Sequence, residues 1–346
     1  MSTQRTFSID SYHPLVSPGE TEGAVYAIKD FFRRELAEAL NLTPVCAPVF
    51  LEAGTGINDD LNSVERPVRF EAPSLKGRVL EVPQSLAKWK RMRLAAMVKE
   101  PGEGILAELT AIRPDEIPGP LHSLYVDQWE WERVITPEER TLHFLREIVG
   151  RIFRVFRKAE EFVASRFPQI EPLLPEEVTF LHSEELEAGF PDLTRQAREA
   201  EAARKHGAIF LSGIGAPLSD GQPHDGRAPD YDDWITQTGK GRGLNGDLIV
   251  WHPLLRQEYE LSSMGIRVDT ESLLQQLELR GCPEWRHRDF HRRLLAGELP
   301  LSIGGGIGQS RSCAYLLRKA HLGEVQSSVW PKETLAECQA QGIPLL

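Results

Sequence analysis

The segment most diagnostic of this chain is Ile303-Gly304-Gly305-Gly306-Ile307-Gly308-Gln309-Ser310-Arg311, which carries four glycines and ends in an arginine. Glycines let the main chain approach a flat or charged ligand, because no Cβ stands in the way. The segment predicts a hairpin of glycine backbone that runs into an amphipathic helix. The N-terminus of that helix and Arg311 would add positive potential where a nucleotide could sit. The dinucleotide-binding pattern G-x-G-x-x-G does not fit, because no strand with an acidic ribose ligand follows the helix.

Composition limits the classes of function. A chain of 346 residues can bury a large core, enough for one α/β domain or two smaller ones. The formal net charge of -11 argues against a general nucleic-acid binder, which relies on clustered Lys and Arg. Residues 1–10 contain no apolar signal region, and no run approaches the roughly 18 apolar residues of a membrane span. We expect a cytoplasmic protein without a membrane or nucleic-acid partner.

The cysteines are four isolated residues, Cys46, Cys282, Cys313 and Cys338. Because no C-x-x-C spacing occurs, the sequence predicts neither a structural zinc site nor a disulfide framework. We expect reduced thiols that are mostly buried.

Capping sequences and apolar spacing predict the first half of the fold. Ser17-Pro18-Gly19-Glu20 and Thr136-Pro137-Glu138-Glu139 are both typical of a helix N-terminus with Pro at the first helical position. The predicted helices are 17–40, 85–97 and 136–167. The predicted strands are short runs within 43–83, followed by 104–113 and 122–135.

The second half continues with strands and helices around one long irregular stretch. The predicted strands are 178–182, 208–214, 247–251 and 258–268, and the predicted helices are 192–206, 270–279 and 283–296. Residues 218–240 carry many charges and little periodicity, which is typical of a functional loop. Because the order lacks regular β-α-β alternation, it favours an α+β fold with a mainly antiparallel sheet flanked by helices.

Two polar side chains share one face of the strand predicted at 122–135. By the period of two, Gln128 and Glu130 continue a face that begins apolar, while Trp129 points to the other side. A buried sheet face does not normally hold unpaired polar groups, so we predict that both line a polar pocket. An exposed sheet edge is the alternative.

Three other groups of charges have a functional and a simpler interpretation. Asp230, Asp232 and Asp233 could bind a substrate ammonium or a metal, or could form a solvated turn. The basic run 85–91 is usually a solvated helix face, although one basic group could point inward. Two further carboxylates on neighbouring predicted strands, at positions 247 and 260, could hold Mg²⁺ together with phosphate oxygens.

Six segments together resemble the ammonia-dependent asparagine synthetases, the aspartate-ammonia ligase family of bacteria. They follow in order over nearly the whole chain, at 85–91, 121–134, 227–234, 244–251, 260–269 and 303–311. The resemblance implies a relation to the catalytic core of aspartyl- and asparaginyl-tRNA synthetases. In that relation Arg113 and the strand after it are similar to the second class II motif. Gly306, Gly308 and Arg311 are similar to the third motif, G-x-G-x-x-R.

The resemblance also implies residue sets for each substrate. The aspartate-binding set would be Asp59, Ser85, Lys90, Gln128, Glu130, Asp232 and Ser263. The ATP-binding set would be Arg113, Asp247, Glu260, Ser262, Arg267, Gly306, Gly308 and Arg311, with Mg²⁺ on Asp247 and Glu260. The catalytic residues would be Asp59, Lys90 and Arg113. Glu130 departs from the family's usual Asp, and Asp60 remains an alternative to Asp59 as the general base.

The implied reaction has two steps. The β-carboxylate of aspartate attacks the α-phosphorus of ATP, which gives β-aspartyl-adenylate and pyrophosphate, and ammonia then displaces AMP to give asparagine. The resemblance further implies a homodimer, with residues 1–346 as one catalytic domain and 1–20 as an N-terminal extension. A truncated aspartyl-tRNA synthetase paralogue and a catalytically inactive regulatory core are the alternatives. The acidic composition argues against the first. The second is disfavoured by the joint retention of Arg113, Asp247, Glu260 and Arg311.

Overall fold

The computed structural model describes residues 12–59 and 65–346. Its strands are β1 (Leu42–Pro44), β2 (Leu51–Glu52), β3 (Arg69–Glu71), β4 (Val79–Glu81), β5 (Gly104–Ile112), β6 (Tyr125–Val134), β7 (Thr179–His182), β8 (Ala208–Ser212), β9 (Gln237–Thr238), β10 (Gly241–Arg242), β11 (Asn245–His252), β12 (Gln257–Ile266) and β13 (Ser302–Gly308). Its α-helices are α1 (Pro18–Leu40), α2 (Ala87–Ala96), α3 (Leu142–Arg166), α4 (Ser183–Gly189), α5 (Arg195–His206), α6 (Thr270–Leu279), α7 (Asp289–Leu295), α8 (Gln309–Leu316) and α9 (Lys332–Ala340). In this described part of the chain, no helix has both the length and the apolar character needed to cross a membrane.

Eight of the described strands form one sheet in the order β1-β5-β6-β13-β12-β11-β8-β7. The two outermost pairs, β1 with β5 and β7 with β8, are parallel. All pairs between them are antiparallel. The predicted α+β fold with a mainly antiparallel sheet is therefore confirmed. Smaller sheets, β2-β4-β3 and β9-β10, lie outside the large one.

One face of the large sheet packs against α1 and α3. Trp129 on β6 stacks on Phe32 of α1 with ring centroids 4.4 Å apart, and Phe32 meets Phe156 of α3 edge-on at 4.8 Å. All three rings are fully buried, as are Ile28 and Leu36 on the predicted apolar face of α1. Burial of this apolar area is the main stabilising contribution on this side of the sheet.

Helices cover the opposite face of the sheet at its two ends. Near β5, Leu86 precedes α2 and packs in one cluster with Ala107 and Leu109. Near β8, Ala203 of α5 packs in another cluster with Ile209. Between these clusters the face carries polar side chains of β6 and β12 and the glycines of β13, which form the floor of a cavity.

Helix starts differ from the sequence predictions at two places. The capping box at Thr136 is present, but it opens a 3-10 turn, Pro137–Glu139, and α3 begins only after Thr141, which caps it. The predicted helix 283–296 is likewise divided into a 3-10 turn, Pro283–His287, and α7. The short helix α4 was missed, because seven residues are too few to show helical periodicity.

The cysteines are less uniformly buried than predicted. Cys313 and Cys338 are buried, but Cys282 is only partly covered and Cys46 is exposed. The expectation of mostly buried thiols is therefore wrong for two of the four cysteines. Cys46 is exposed because it lies in the loop after β1.

Candidate active site

The glycine segment forms β13, an interior strand of the large sheet, and not the predicted hairpin. Glycines are needed in this strand because neighbouring side chains leave no room for a Cβ. A Cβ at Gly304 would lie 1.9 Å from Glu132 Oε2, and a Cβ at Gly306 would lie 3.1 Å from both Gln128 Nε2 and Glu130 Oε1. Polar side chains of β6 therefore lie across β13, where any other residue type would displace them.

A cavity of about 480 Å³ opens above this part of the sheet. Most of the residues predicted for substrate binding line it: Asp59, Ser85, Arg113, Gln128, Glu130, Asp232, Glu260, Ser262, Ser263, Arg267, Gly306, Gly308 and Arg311. Lys90 and Asp247 lie behind the wall, and each forms an ion pair with a lining residue. Because β6 is an interior strand, the alternative of an exposed sheet edge for Gln128 and Glu130 is excluded.

Two arginines form one end of the cavity. Arg113 follows β5, and its backbone N–H donates to Leu124 O at 2.9 Å, which closes the loop before β6. Arg311 lies in the first turn of α8, and its Nη1 is 3.5 Å from Glu260 Oε2. Burial and the charges of Arg311 and Arg113 lower the pKa of His122, which lines the same cavity. Two guanidinium groups beside a helix N-terminus form a region suited to a polyphosphate.

Two carboxylates face each other beside the arginines. The register of β11 and β12 shifts so that Asp247 lies opposite Ser263 whereas Ile249 lies opposite Glu260, which brings both carboxylates to one face. Burial and the charge of Glu260 raise the pKa of Asp247 to about 7, although Arg227 pairs with it. Two carboxylates suit Mg²⁺ only if phosphate oxygens complete the coordination shell of the ion. Among the described residues, no group of three or more His, Cys, Asp or Glu side chains could hold a metal ion by itself.

A buried ion network lies under the other end of the cavity. Arg267 donates to Glu132 through Nε at 3.0 Å and Nη2 at 2.7 Å, and to Asp232 through Nη1 at 2.5 Å. These bonds hold the Arg267 guanidinium at the carboxylate end of the cavity. Its predicted role in ATP binding would instead require a position at the end formed by Arg113 and Arg311. Together with the Lys90–Glu130 pair, the network holds three carboxyl groups and two cations. An added ammonium group would balance its charge.

Lys90 directs its ammonium group into the sheet. Nζ donates to Glu130 and also to Trp131 O and Gly305 O, the last two at 2.9 Å. Burial lowers the pKa of Lys90, while the charge of Glu130 opposes that shift. An ammonium group has three N–H donors, and all three are used here. Lys90 thus bonds to two residues that line the cavity, Glu130 and Gly305, and does not itself line it.

The loop before β3 brings Asp59 to the cavity. Asn58 anchors this loop, because its Nδ2 donates to Glu81 Oε2 at 3.0 Å and its Oδ1 accepts from the Asp59 backbone N–H at 3.0 Å. The charge of Asp59 adds to burial in raising the pKa of Tyr231. Asp59 and Tyr231 thus approach each other in the cavity wall. Asp60, the alternative base, lies outside the described residues.

A buried triad next to the cavity was missed by sequence reasoning. Lys88 Nζ donates to Asp230 Oδ2 at 2.7 Å, and His291 Nε2 lies 3.0 Å from the same oxygen. Although burial opposes the shift, Lys88 and His291 lower the pKa of Asp230. The basic run 85–91 is therefore not a solvated helix face, and Asp230 is not part of a solvated turn. The available signal was that four of the ten residues of α2 are basic and lie on more than one face of the helix, so that one solvated face could not hold all of them.

The fold around this cavity is that of a class II aminoacyl-tRNA synthetase catalytic core. The asparaginyl-tRNA synthetase of Entamoeba histolytica, solved with asparaginyl-adenylate, superposes with a TM-score of 0.63 at 14% identity, over 89% of this chain and 66% of that one. A putative aspartyl-tRNA synthetase from Leishmania major gives a TM-score of 0.64 at 14% identity, over 91% of this chain and 67% of that one. Similarity at this level of identity shows the fold alone.

Sequence comparison narrows this class to one family. The sequence profile of the aspartate-ammonia ligases matches residues 19–342. The aspartate-ammonia ligase of Bacteroides fragilis is 52% identical over 340 residues, which are 97% of this chain and 98% of that protein. The one from Clostridium perfringens is 48% identical over 343 residues, which are 99% of this chain and 100% of that protein. The chain belongs to the aspartate-ammonia ligase family, whose members are carbon–nitrogen ligases.

Proposed function

We propose that this member of the family converts L-aspartate, ATP and ammonia to L-asparagine, AMP and pyrophosphate through a β-aspartyl-adenylate. The observation that carries the proposal is one cavity with two arginines at one end and an excess of buried carboxylates at the other. A polyphosphate and an amino acid would be oriented by these opposite charges. The β-carboxylate of aspartate would then face the α-phosphorus of ATP.

The nucleotide half of the reaction uses the arginine end. A carboxylate is a poor electrophile, so its oxygen first attacks the α-phosphorus and pyrophosphate leaves. Arg113 donates to the α-phosphate oxygens and Arg311 to the phosphate tail, where negative charge develops in the transition state. Gly306 and Gly308 allow the nucleotide to approach the main chain of β13 closely. Ser262, whose Oγ donates to Gly306 O at 2.9 Å, supports the floor of this half.

Mg²⁺ is proposed to bind between ATP and the carboxylates of Asp247 and Glu260. The support is the donor chemistry, because the charge of the neighbouring Glu260 disfavours the ionised form of Asp247 and a cation would relieve this. When bound, the ion would neutralise phosphate oxygens. Arg227 holds Asp247 in place from the cavity side.

Aspartate is proposed to bind at the carboxylate end. Its α-ammonium would lie against Asp232 and Glu130, because the ion-paired network to which both belong has one carboxylate more than it has cations. Gln128, Ser85 and Ser263 would hydrogen-bond the carboxylates of the substrate, since all three are polar residues that line the cavity. The network would thus select an amino acid over a plain dicarboxylate.

The second step consumes ammonia. Ammonia attacks the β-carbonyl carbon of the adenylate, the acyl–oxygen bond breaks, and AMP leaves. At neutral pH ammonia is largely ammonium, so a base must take one proton, and Asp59 is the proposed base. Lys90 is a positioning residue in this mechanism, because it holds Glu130 rather than the substrate.

The identity of the nucleotide product tests the proposal. Purified protein is supplied with aspartate, ATP, Mg²⁺ and ammonium chloride, and the nucleotides are separated after quenching. AMP with an equal amount of pyrophosphate and asparagine supports the adenylate route. ADP with phosphate would overturn it. Incubation with aspartate-accepting tRNA in place of ammonium tests the tRNA synthetase alternative, and no product in either mixture would indicate an inactive core.

A homodimer built from one catalytic domain over residues 1–346 is proposed as the assembly. The support is the class II fold, since such cores usually act as dimers. Light scattering should give twice the mass of the chain, and the mass of one chain would contradict the proposal.

A further inference from the structure

Helix α8, which carries Arg311, is capped by a side chain from another element. Asp127 on β6 accepts the Ser310 backbone N–H through Oδ1 and the Ser310 hydroxyl through Oδ2, both at 2.9 Å. The N-cap residue itself, Gly308, has no side chain to do this. The first backbone N–H groups of a helix have no partner within the helix, so Asp127 supplies the bond that a Ser or Asp at the N-cap would normally supply.

Asp127 is held in turn from helix α1. Lys29 Nζ donates to Asp127 Oδ2 at 2.6 Å, and the carboxylate is 5% exposed whereas the lysine is 30% exposed. Gln326 completes the arrangement, because its Nε2 donates to Ser310 Oγ at 3.2 Å and to Tyr125 O at 3.1 Å. A buried carboxylate that lost its cation would carry an uncompensated charge, so Lys29 compensates Asp127 and holds it in place.

These contacts fix the point from which the Arg311 side chain leaves the main chain. On one side, Ser310 is bonded to Asp127, and on the other, the Arg311 carbonyl accepts the Tyr259 hydroxyl at 3.0 Å. An arginine side chain has many rotamers, so the position of its guanidinium depends strongly on the placement of its backbone. Lys29 is not among the residues that line the cavity. Any effect of Lys29 on the nucleotide must therefore pass through other residues.

We infer that Lys29 and Asp127 are positioning residues for Arg311: together they set the first turn of α8 so that the guanidinium reaches the ATP tail. The inference rests on the proposed role of Arg311 at the nucleotide.

The test compares Lys29→Met with a matched control, Lys158→Met. Lys158 also pairs with α1, through Glu35 at 2.7 Å, but that pair is exposed and makes no bond to Asp127 or Ser310. Lys29→Met should raise the KM for ATP about 3- to 10-fold, the effect of losing part of one helix cap, and leave the KM for aspartate within twofold. Lys29→Arg should restore the KM, and Lys158→Met should change neither constant. Thermal melting of each variant confirms that the fold is retained.

A double-mutant cycle with Arg311→Ala then decides whether Lys29 acts through Arg311. If it does, Lys29→Met should add little to the KM for ATP in the Arg311→Ala background. Additive effects, an equal rise in the KM for aspartate, or no effect of Lys29→Met would overturn the positioning role. A normal KM for ATP in Arg311→Ala alone would overturn the proposed nucleotide site as well, so the two failures are distinguishable.

Discussion

Arg113 and Arg311 approach the cavity from different elements, so each can be removed without disturbing the other. Arg113→Ala and Arg311→Ala should keep the fold and lower kcat/KM by roughly 10² to 10³, the scale for losing one positioned transition-state donor. Steady-state kinetics with ATP as the varied substrate measures this. Arg204→Ala is the control, because its guanidinium is exposed and pairs within α5. Near-normal activity in both cavity variants would remove the assignment of the nucleotide end.

Gln128 and Asp232 should affect aspartate more than ATP. Gln128→Ala removes a cavity-lining amide, and Asp232→Asn keeps the size of the side chain while it loses the charge that faces the substrate ammonium. Each should raise the KM for aspartate by about 10- to 100-fold, the effect of one lost hydrogen bond to a charged group. Separate titrations of the two substrates measure this. A raised KM for ATP with an unchanged KM for aspartate would show that the two ends have been assigned in reverse.

Asp59→Asn should separate the two half-reactions. The substitution keeps the side-chain size but removes the proton-accepting charge, and only the second step consumes ammonia and releases protons. Exchange of labelled pyrophosphate into ATP should therefore largely survive, while asparagine formation from ammonium falls. A parallel loss of exchange would make Asp59 a substrate-binding group. If neither step changes, Asp60 becomes the residue to test.

At the scale of elements, a Gly→Ala substitution should have opposite effects on stability in β13 and in α1. Gly304→Ala would place a Cβ 1.9 Å from Glu132 Oε2, whose carboxylate holds Arg267. It should lower the free energy of unfolding by about 1–3 kcal/mol or more, as overpacking does. Gly23→Ala in α1 has nothing within 4 Å and should instead raise it by about 0.5–1 kcal/mol. Urea denaturation measures both, and equal stability of the two variants would contradict this explanation of the glycine segment.

The local sequence pattern was sufficient to predict elements whose periodicity is set by a single face packed in the core. The apolar spacing of α1 and the period of two in β6 could be predicted from the sequence, since each element has one face in the core. The glycine segment could not be assigned correctly by the same means. Its lack of side chains is explained by Glu132 and Gln128 on β6, more than 150 residues earlier in the chain, which lie across it. That information exists only once the strands are paired.

At the scale of the whole molecule, the site forms because the order of the strands in the sheet brings distant segments together. β6, β13 and β12 are adjacent in the sheet although they are far apart in sequence. Periodicity could indicate that Gln128 and Glu130 were unusual, but not that Lys90 would bond one of them or that Arg267 would bond Glu132. Most of the residues that the resemblance to a known family supplied do line the cavity. The resemblance did not supply the buried partners, such as Lys88 and His291, because their roles depend on packing across three elements.

A buried histidine that does not line the cavity predicts how the stability of the whole molecule depends on pH. His252 is fully buried, with its ring centroid 5.1 Å from Tyr259 and 5.7 Å from Tyr315. Burial, together with the charge of Arg318, lowers the pKa of His252 to about 3. Above about pH 6.5 the imidazole is neutral in both the folded and the unfolded chain, so it adds no pH dependence. Between that value and pH 3 only the unfolded chain takes up the proton. The contribution of His252 to stability is therefore lost as the pH falls, by up to about 1.4 kcal/mol per pH unit.

His252→Phe keeps a ring in the cluster and removes this proton. It also removes the acceptor for the Leu255 backbone N–H, at 3.3 Å, which costs the same free energy at every pH. The stability advantage of the parent over the variant should therefore be largest near pH 7 and shrink steadily from about pH 6.5 downward. Tyr315→Phe is the control from the same cluster: burial raises the pKa of its hydroxyl, so its effect should not change with pH in this range. Denaturation curves at several pH values measure both differences. If the difference for His252→Phe is constant from pH 7 to pH 4.5, His252 does not couple protonation to unfolding.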